Sequence, residues 1–116
     1  MLSINPDYAV GYNNLGVAFK ETGNQEAAIE SYHKALKLKP DYAEAYYNIG
    51  NILQELGKLK EAIEAYKEAI SVKPDFAMAY YNLGVILKKQ DKLNEAIEAY
   101  NKALSLKPEH VEANNN

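Results

Sequence analysis

Proline recurs in this chain at a constant interval of 34 residues, at positions 6, 40, 74 and 108. Many other residues keep the same step, and residues 43–76 and 77–110 are identical at 20 of 34 aligned positions. A fixed period of about 20–50 residues is typical of architectures in which each unit buries its apolar face only against its neighbours. We therefore expect a linear stack of units and not a domain with one central core.

The spacing of apolar and small residues within one unit predicts two helices joined by a short turn. In residues 43–76 a first apolar stripe has the i, i+3, i+7 spacing of one helix face, and it consists of Ala43, Tyr46, Ile49, Gly50 and Leu53. After Gly57 a second stripe with the same character runs through Leu59, Ala62, Ile63, Tyr66, Ala69 and Ile70. Each unit is therefore predicted to be a helical hairpin.

The residues between the stripes predict how the helices end. Gly23 and Gly57, with Asp91 at the same place in the third unit, indicate a left-handed residue after each first helix. Asp41 and Glu44 predict a capping box at the start of the first helix of residues 43–76.

Small residues recur where the two helices of a hairpin must approach each other. A glycine inside a helix costs roughly 1 kcal/mol relative to alanine, yet one stands at the same place in every unit, as Gly16, Gly50 and Gly84. We expect the recurring tyrosines to fill the space beside these glycines, and they are Tyr32, Tyr66 and Tyr100.

These residues together resemble the signature of the tetratricopeptide repeat, which combines large, small, alanine, aromatic and proline residues at set places. Unit 2 (residues 43–76) matches this signature with Tyr46, Ile49, Gly50, Leu53, Ala62, Tyr66, Ala69 and Pro74. Unit 1 (residues 9–42) and unit 3 (residues 77–110) match it equally. The resemblance implies an all-α fold, an α-solenoid of helix-turn-helix hairpins wound as a right-handed superhelix. Residues 1–8 then look like the remnant of a preceding repeat and the N-cap of the first helix, and residues 111–116 like the truncated start of a further helix.

The resemblance also implies where a ligand lies, since the first helices of such arrays line a concave groove that holds peptides or partner proteins. The corresponding candidate binding residues are Asn13, Asn14, Val17, Lys20, Tyr47, Asn48, Asn51, Gln54, Met78, Tyr81, Asn82, Val85, Lys88 and Lys89. Lys20, Lys88 and Lys89 would give this groove a mildly basic rim that favours an acidic or polar peptide.

An asparagine ladder, defined as Asn14, Asn48 and Asn82, occupies one place per unit in this groove. Each amide offers donors and an acceptor that suit the backbone of an extended peptide. The ladder is similar to the one lining the repeat domain of the O-linked N-acetylglucosamine transferases. The alternative is that each asparagine bonds to a neighbouring helix. Tyr47 and Tyr81 similarly either contact a ligand or fill space between adjacent first helices.

The family's chaperone-binding members hold a C-terminal carboxylate with a set of lysine, asparagine and arginine side chains. The corresponding places here are Asn13, Val17, Asn48, Met78 and Asn82, of which only Asn48 matches. We predict no carboxylate clamp and no specific binding of chaperone C-terminal tails.

The composition excludes several other classes of function. Cysteine is absent, which excludes disulfides and thiolate catalysis, and all 13 basic residues are lysines. A net charge of −3 without arginine argues against nucleic-acid binding, and no apolar run is long enough to cross a membrane. His33 and His110 are far apart, and no phosphate-binding loop or nucleophile motif is present. We therefore expect no catalytic site, no metal and no cofactor, and a cytoplasmic protein.

A non-catalytic peptide- or protein-binding scaffold is the leading hypothesis. One alternative is a purely structural or designed array without a natural ligand, and another is the substrate-recognition segment of a glycosyltransferase that carries such repeats. The apolar outer face of the last helix, with Leu93, Ile97, Tyr100 and Leu104, further predicts end-to-end self-association.

Overall fold

Six α-helices and no strands make up the part of the chain that the computed structural model describes, residues 6–106. The helices are α1 (Pro6–Glu21), α2 (Gln25–Leu38), α3 (Ala43–Glu55), α4 (Leu59–Val72), α5 (Ala77–Lys89) and α6 (Leu93–Leu106). They form three consecutive hairpins, which confirms the predicted all-α helical-repeat solenoid. The predicted truncated start of a further helix at residues 111–116 lies outside the described residues, as do His110 and most of the predicted N-terminal remnant.

The first helix of every hairpin ends in a left-handed residue, as predicted. The φ angles are 83° at Gly23, 80° at Gly57 and 65° at Asp91. The next residue folds back in each case, and the backbone N–H of Lys58, for example, donates to the carbonyl of Leu53 at 2.9 Å. These bonds satisfy carbonyls that the helix leaves unpaired, and they turn the chain sharply into the second helix.

The predicted capping box at α3 is wrong. The residue that precedes α3 is Tyr42 and not Asp41, and no side chain caps the helix. The Tyr42 side chain is only 8% exposed and packs beside Ala35 and Ala45. The helix begins at Ala43, so Asp41 lies one residue too early to cap it.

The contact between glycine and tyrosine is the central packing feature of every hairpin. A Cβ atom added to Gly50 would lie 2.7 Å from the ring of Tyr66, and one added to Gly16 would lie 2.5 Å from the ring of Tyr32. Tyr66 is fully buried among Ile63, Leu83 and other side chains of units 2 and 3. The glycine thus brings the two helices together around a ring that also reaches the next unit.

The stack curves towards its first helices. Within residues 6–106, α3 contacts both α1 and α5, whereas α4 contacts neither α2 nor α6. The row of first helices is therefore the more closely spaced side of an elongated body of 50 × 26 × 24 Å. A concave surface formed by α1, α3 and α5 follows from this spacing.

Candidate functional site: the concave surface

The first helices expose the candidate binding residues to different degrees. Asn14, Lys88 and Lys89 are exposed, and Asn13 is buried at 8% exposure. The others are half-buried, and they are Val17, Lys20, Tyr47, Asn48, Asn51, Gln54, Met78, Tyr81, Asn82 and Val85. The concave surface therefore offers partly accessible polar side chains whose orientation depends on their neighbours.

Asn48 joins unit 2 to unit 1 through its side-chain amide. Its Nδ2 donates to Oδ1 of Asn13 at 3.0 Å. Asn13 serves here as the acceptor for Asn48. Because Asn13 is buried, it exposes little of its own surface to a ligand.

Asn82 joins unit 3 to unit 2 in a more extended network. Its Nδ2 donates to Oδ1 of Asn51 at 3.0 Å and to the hydroxyl of Tyr47 at 3.1 Å. The Tyr66 hydroxyl donates to the same Asn51 oxygen at 2.6 Å and lies 3.1 Å from Oε1 of Gln54. Two first helices and one second helix thus share a single polar cluster.

The sequence interpretation missed the role of the Tyr66 hydroxyl in this cluster. Tyr66 was expected only to fill space beside Gly50, yet its polar tip reaches two groove residues. Burial raises the pKa of Tyr66, and the nearby Tyr47 adds to the shift, so the hydroxyl keeps its proton and donates at neutral pH. The one available signal was the choice of tyrosine over phenylalanine at this place in all three units.

These hydrogen bonds decide which atoms of the ladder remain available. Both Asn48 and Asn82 use Nδ2 towards the preceding unit, and within residues 6–106 neither Oδ1 has a hydrogen-bond partner. Neither of these oxygens is among the buried unpaired atoms of the described residues, so both reach solvent. Both oxygens therefore keep some exposure to solvent while the Nδ2 atoms are bonded to the preceding unit.

Aromatic rings fill the space between adjacent helices along the same surface. The ring centroid of Tyr47 lies 4.9 Å from that of Phe76 and 5.9 Å from that of Tyr66. In unit 3, Tyr81 lies 5.6 Å from Tyr100 in the same way. Each groove tyrosine therefore packs inside the stack with part of its ring and remains half-exposed with the rest.

The positive charge of the groove is concentrated in unit 3. Lys20 forms an ion pair with Glu55 at 3.5 Å, and Gln25 donates to the same carboxylate at 3.1 Å. Lys88 and Lys89 are exposed at the end of α5 and have no ion pair within the described residues. Of the lysines predicted to form the basic rim, only Lys88 and Lys89 therefore have no ion pair within the described residues, and both lie at the end of α5.

The described residues contain no group of three histidine, aspartate or glutamate side chains that could hold a metal ion. His33 is exposed on α2. No helix among residues 6–106 is long and apolar enough to cross a membrane.

Comparisons with known proteins agree with the helical-repeat fold. A family model described as TPR repeat matches residues 18–57 and 50–91, and one described as tetratricopeptide repeat matches residues 77–110. No curated protein sequence matches the chain significantly.

Solved structures with the same fold include two crystal structures of MamA. Both are 32% identical in sequence and cover 93% of this chain, with TM-scores of 0.84 and 0.80. The matched region makes up 63% and 59% of the MamA chains, so this chain spans about three fifths of their length.

A third similar structure is the second TPR of Spaghetti (RPAP3), bound to the HSP90 peptide SRMEEVD. It is 25% identical, has a TM-score of 0.84, and covers 89% of this chain and 95% of its own.

Proposed function

The chain belongs to the tetratricopeptide repeat family, and we propose that it is a protein-binding scaffold that holds an extended peptide on its concave surface. The observation that carries this proposal is the arrangement of Asn48 and Asn82. Each amide is held by the preceding unit through Nδ2 and leaves Oδ1 facing solvent. Oriented acceptors of this kind suit the backbone N–H groups of an extended chain, whatever its sequence.

The aromatic and charged neighbours of the ladder give the proposed ligand further character. The half-exposed parts of Tyr47 and Tyr81 offer flat surface for apolar side chains. Lys88 and Lys89 favour acidic residues in the part of the peptide that lies over unit 3, because Lys20 is already neutralised by Glu55. The peptide bound to the second TPR of Spaghetti (RPAP3), SRMEEVD, shows that this fold accommodates short acidic segments in that protein.

A display selection of random peptides against the chain tests the proposed function directly. We expect enriched peptides that compete with one another for one site. If no peptide is enriched, or if the enriched peptides bind equally well to a variant with Asn14, Asn48 and Asn82 all changed to alanine, the proposal is wrong.

Single substitutions separate ligand contact from inter-unit packing. Asn48→Ala and Asn13→Ala both remove the 3.0 Å bond between units 1 and 2, but only Asn48→Ala removes the groove-facing acceptor. We expect Asn48→Ala to weaken binding of an enriched peptide by roughly two- to tenfold, the range of one hydrogen bond, and Asn13→Ala, which keeps the acceptor and removes only its anchor, to weaken binding less. Isothermal titration of each variant, with circular dichroism to confirm folding, measures the difference. Equal weakening would mean that Asn48 acts only through the position of the units.

The predicted lack of a carboxylate clamp can be tested separately. We expect the peptide SRMEEVD to bind this chain no more tightly as a free acid than as a C-terminal amide. Asn13 is buried and already bonded to Asn48, while Val17 and Met78 offer no charge to a carboxylate. Fluorescence anisotropy with both forms of the peptide measures the ratio of their affinities. A strong preference for the free acid would show that some other group replaces the clamp.

A further inference from the structure

The outer face of α6 carries apolar side chains whose counterparts in α4 are buried or partly buried at the junction with α5. Leu93 and Ile97 are 52% and 55% exposed, and Leu104 is 37% exposed. Ile97 corresponds in the repeat to Ile63 of α4, which is only 9% exposed because it packs in the cluster formed with α5. The same residue type at the same place is thus covered by a following helix in unit 2, whereas no helix among residues 6–106 covers it in unit 3.

The outer face of α1 is the complementary half of this junction. Tyr8 and Leu15 are 59% and 44% exposed, whereas their counterparts Tyr42 and Ile49 are 8% and 6% exposed beneath the preceding helix. Tyr8, Gly11, Tyr12 and Leu15 line a surface cavity of about 330 Å³ on this face. In units 2 and 3 the corresponding surface of the first helix is covered by the preceding second helix, since α2 packs on α3 and α4 packs on α5.

We propose that two copies of this chain join head to tail, with α6 of one copy packed on α1 of the next in the geometry of the α4–α5 junction. The occupant is a second copy because each face matches one half of a junction that the chain already forms twice. The apolar residues involved lie outside the concave surface, so self-association and peptide binding can be tested separately; Lys88 is the one candidate groove residue that the proposed interface also uses.

Charged residues on α5 and α1 are also placed to pair if α6 packs on α1 as α4 packs on α5. Inside the molecule, Lys20 near the end of α1 pairs with Glu55 near the end of α3 at 3.5 Å. Repetition of this register across the proposed interface brings Lys88 of one copy to Glu21 of the next. Neither residue has an ion pair within the described part of the chain, so the contact would satisfy both.

The two joined surfaces differ, so the interface does not close on itself. Such heterologous contacts form rings when the rotation closes and open helical assemblies when it does not. The curvature of the stack would continue from copy to copy, and the concave surfaces would join into one longer groove.

Sedimentation velocity over a wide concentration series tests the proposal. We expect the average mass of the chain to rise with concentration. Leu15→Glu removes the α1 face and Ile97→Glu the α6 face, and both side chains are exposed enough for the charge to leave the fold intact. Each variant alone should remain a monomer. An equal mixture should form a dimer that grows no further, because each variant retains the face that the other lacks.

The matched control is Leu56→Glu, which changes a 42% exposed leucine in the turn after α3, away from both faces. This variant should associate like the parent chain. Lys88→Glu should weaken association roughly two- to fivefold, and adding Glu21→Lys should restore it.

A parent chain that stays monomeric throughout would overturn the proposal. So would association that survives in Leu15→Glu alone, or a mixture of the two variants that stays monomeric, since these results fit no head-to-tail contact. Circular dichroism of every variant confirms that loss of association is not loss of folding.

Discussion

Tyr66→Ala is expected to lower the free energy of unfolding by about 3–5 kcal/mol, the usual cost of removing a large ring from a well-packed core. The Tyr66 side chain is fully buried and contacts residues of both α4 and α5, so its loss opens a cavity at the junction of units 2 and 3. It also removes the hydroxyl that donates to Asn51. Urea unfolding followed by circular dichroism measures the change.

The repeat supplies a control at the corresponding place in unit 3. Tyr100 packs against Gly84 as Tyr66 packs against Gly50, but Tyr100 is only half-buried, and no helix among residues 6–106 follows α6 to cover it. We expect Tyr100→Ala to cost clearly less than Tyr66→Ala. Equal losses would mean that the contact with the next unit contributes little. Tyr66→Phe keeps the ring and removes only the hydroxyl, so it should cost about 1–2 kcal/mol.

Gly50→Val should lower the free energy of unfolding by about 3 kcal/mol, at the upper end of the usual cost of overpacking. The first carbon of the added side chain would already lie 2.7 Å from the Tyr66 ring, which is buried on all sides and cannot move away. The two helices of the hairpin would have to separate to accommodate the larger residue. Thermal or urea unfolding of the variant measures the loss.

Gly11→Val tests whether this loss comes from packing and not from valine in a helix. Gly11 also lies inside a first helix, but a Cβ atom added there meets nothing within 4 Å. We expect this variant to differ from the parent by less than about 0.5 kcal/mol, as surface substitutions usually do. Similar losses in both variants would contradict the packing argument.

The repeating fold could be predicted from the sequence because its determinants are local. The left-handed turns at Gly23, Gly57 and Asp91 depend on backbone preferences of single residues, and the helices follow from spacing within one unit. The close contact of Gly50 with Tyr66 was also foreseeable, since both recur with the same period.

The geometry of the groove could not be predicted in the same way, because it depends on how one unit is rotated against the next. The equivalent residues Asn48 and Asn82 find different acceptors, Asn13 in one case and Asn51 with Tyr47 in the other. Asn13 and Tyr47 occupy the same place in successive units, and Asn51 corresponds to Val17, which has no acceptor. The alignment identifies these counterparts, but it does not show that they face the asparagine of the next unit. The pairing of Lys20 with Glu55 likewise joins two units and removes a charge that the sequence alone assigned to the rim.

Units 1 and 3 make no contact with each other within the described residues. This determines how folded structure forms and is lost along the chain. Contacts join only successive helices and adjacent first helices, so every link between the outer hairpins runs through unit 2. In such a one-dimensional array, order nucleates in any hairpin and spreads to its neighbour, and it is lost first from the hairpins with a single neighbour. The middle hairpin, supported on both sides, is the last to melt, and opening it would uncouple the motions of the two ends.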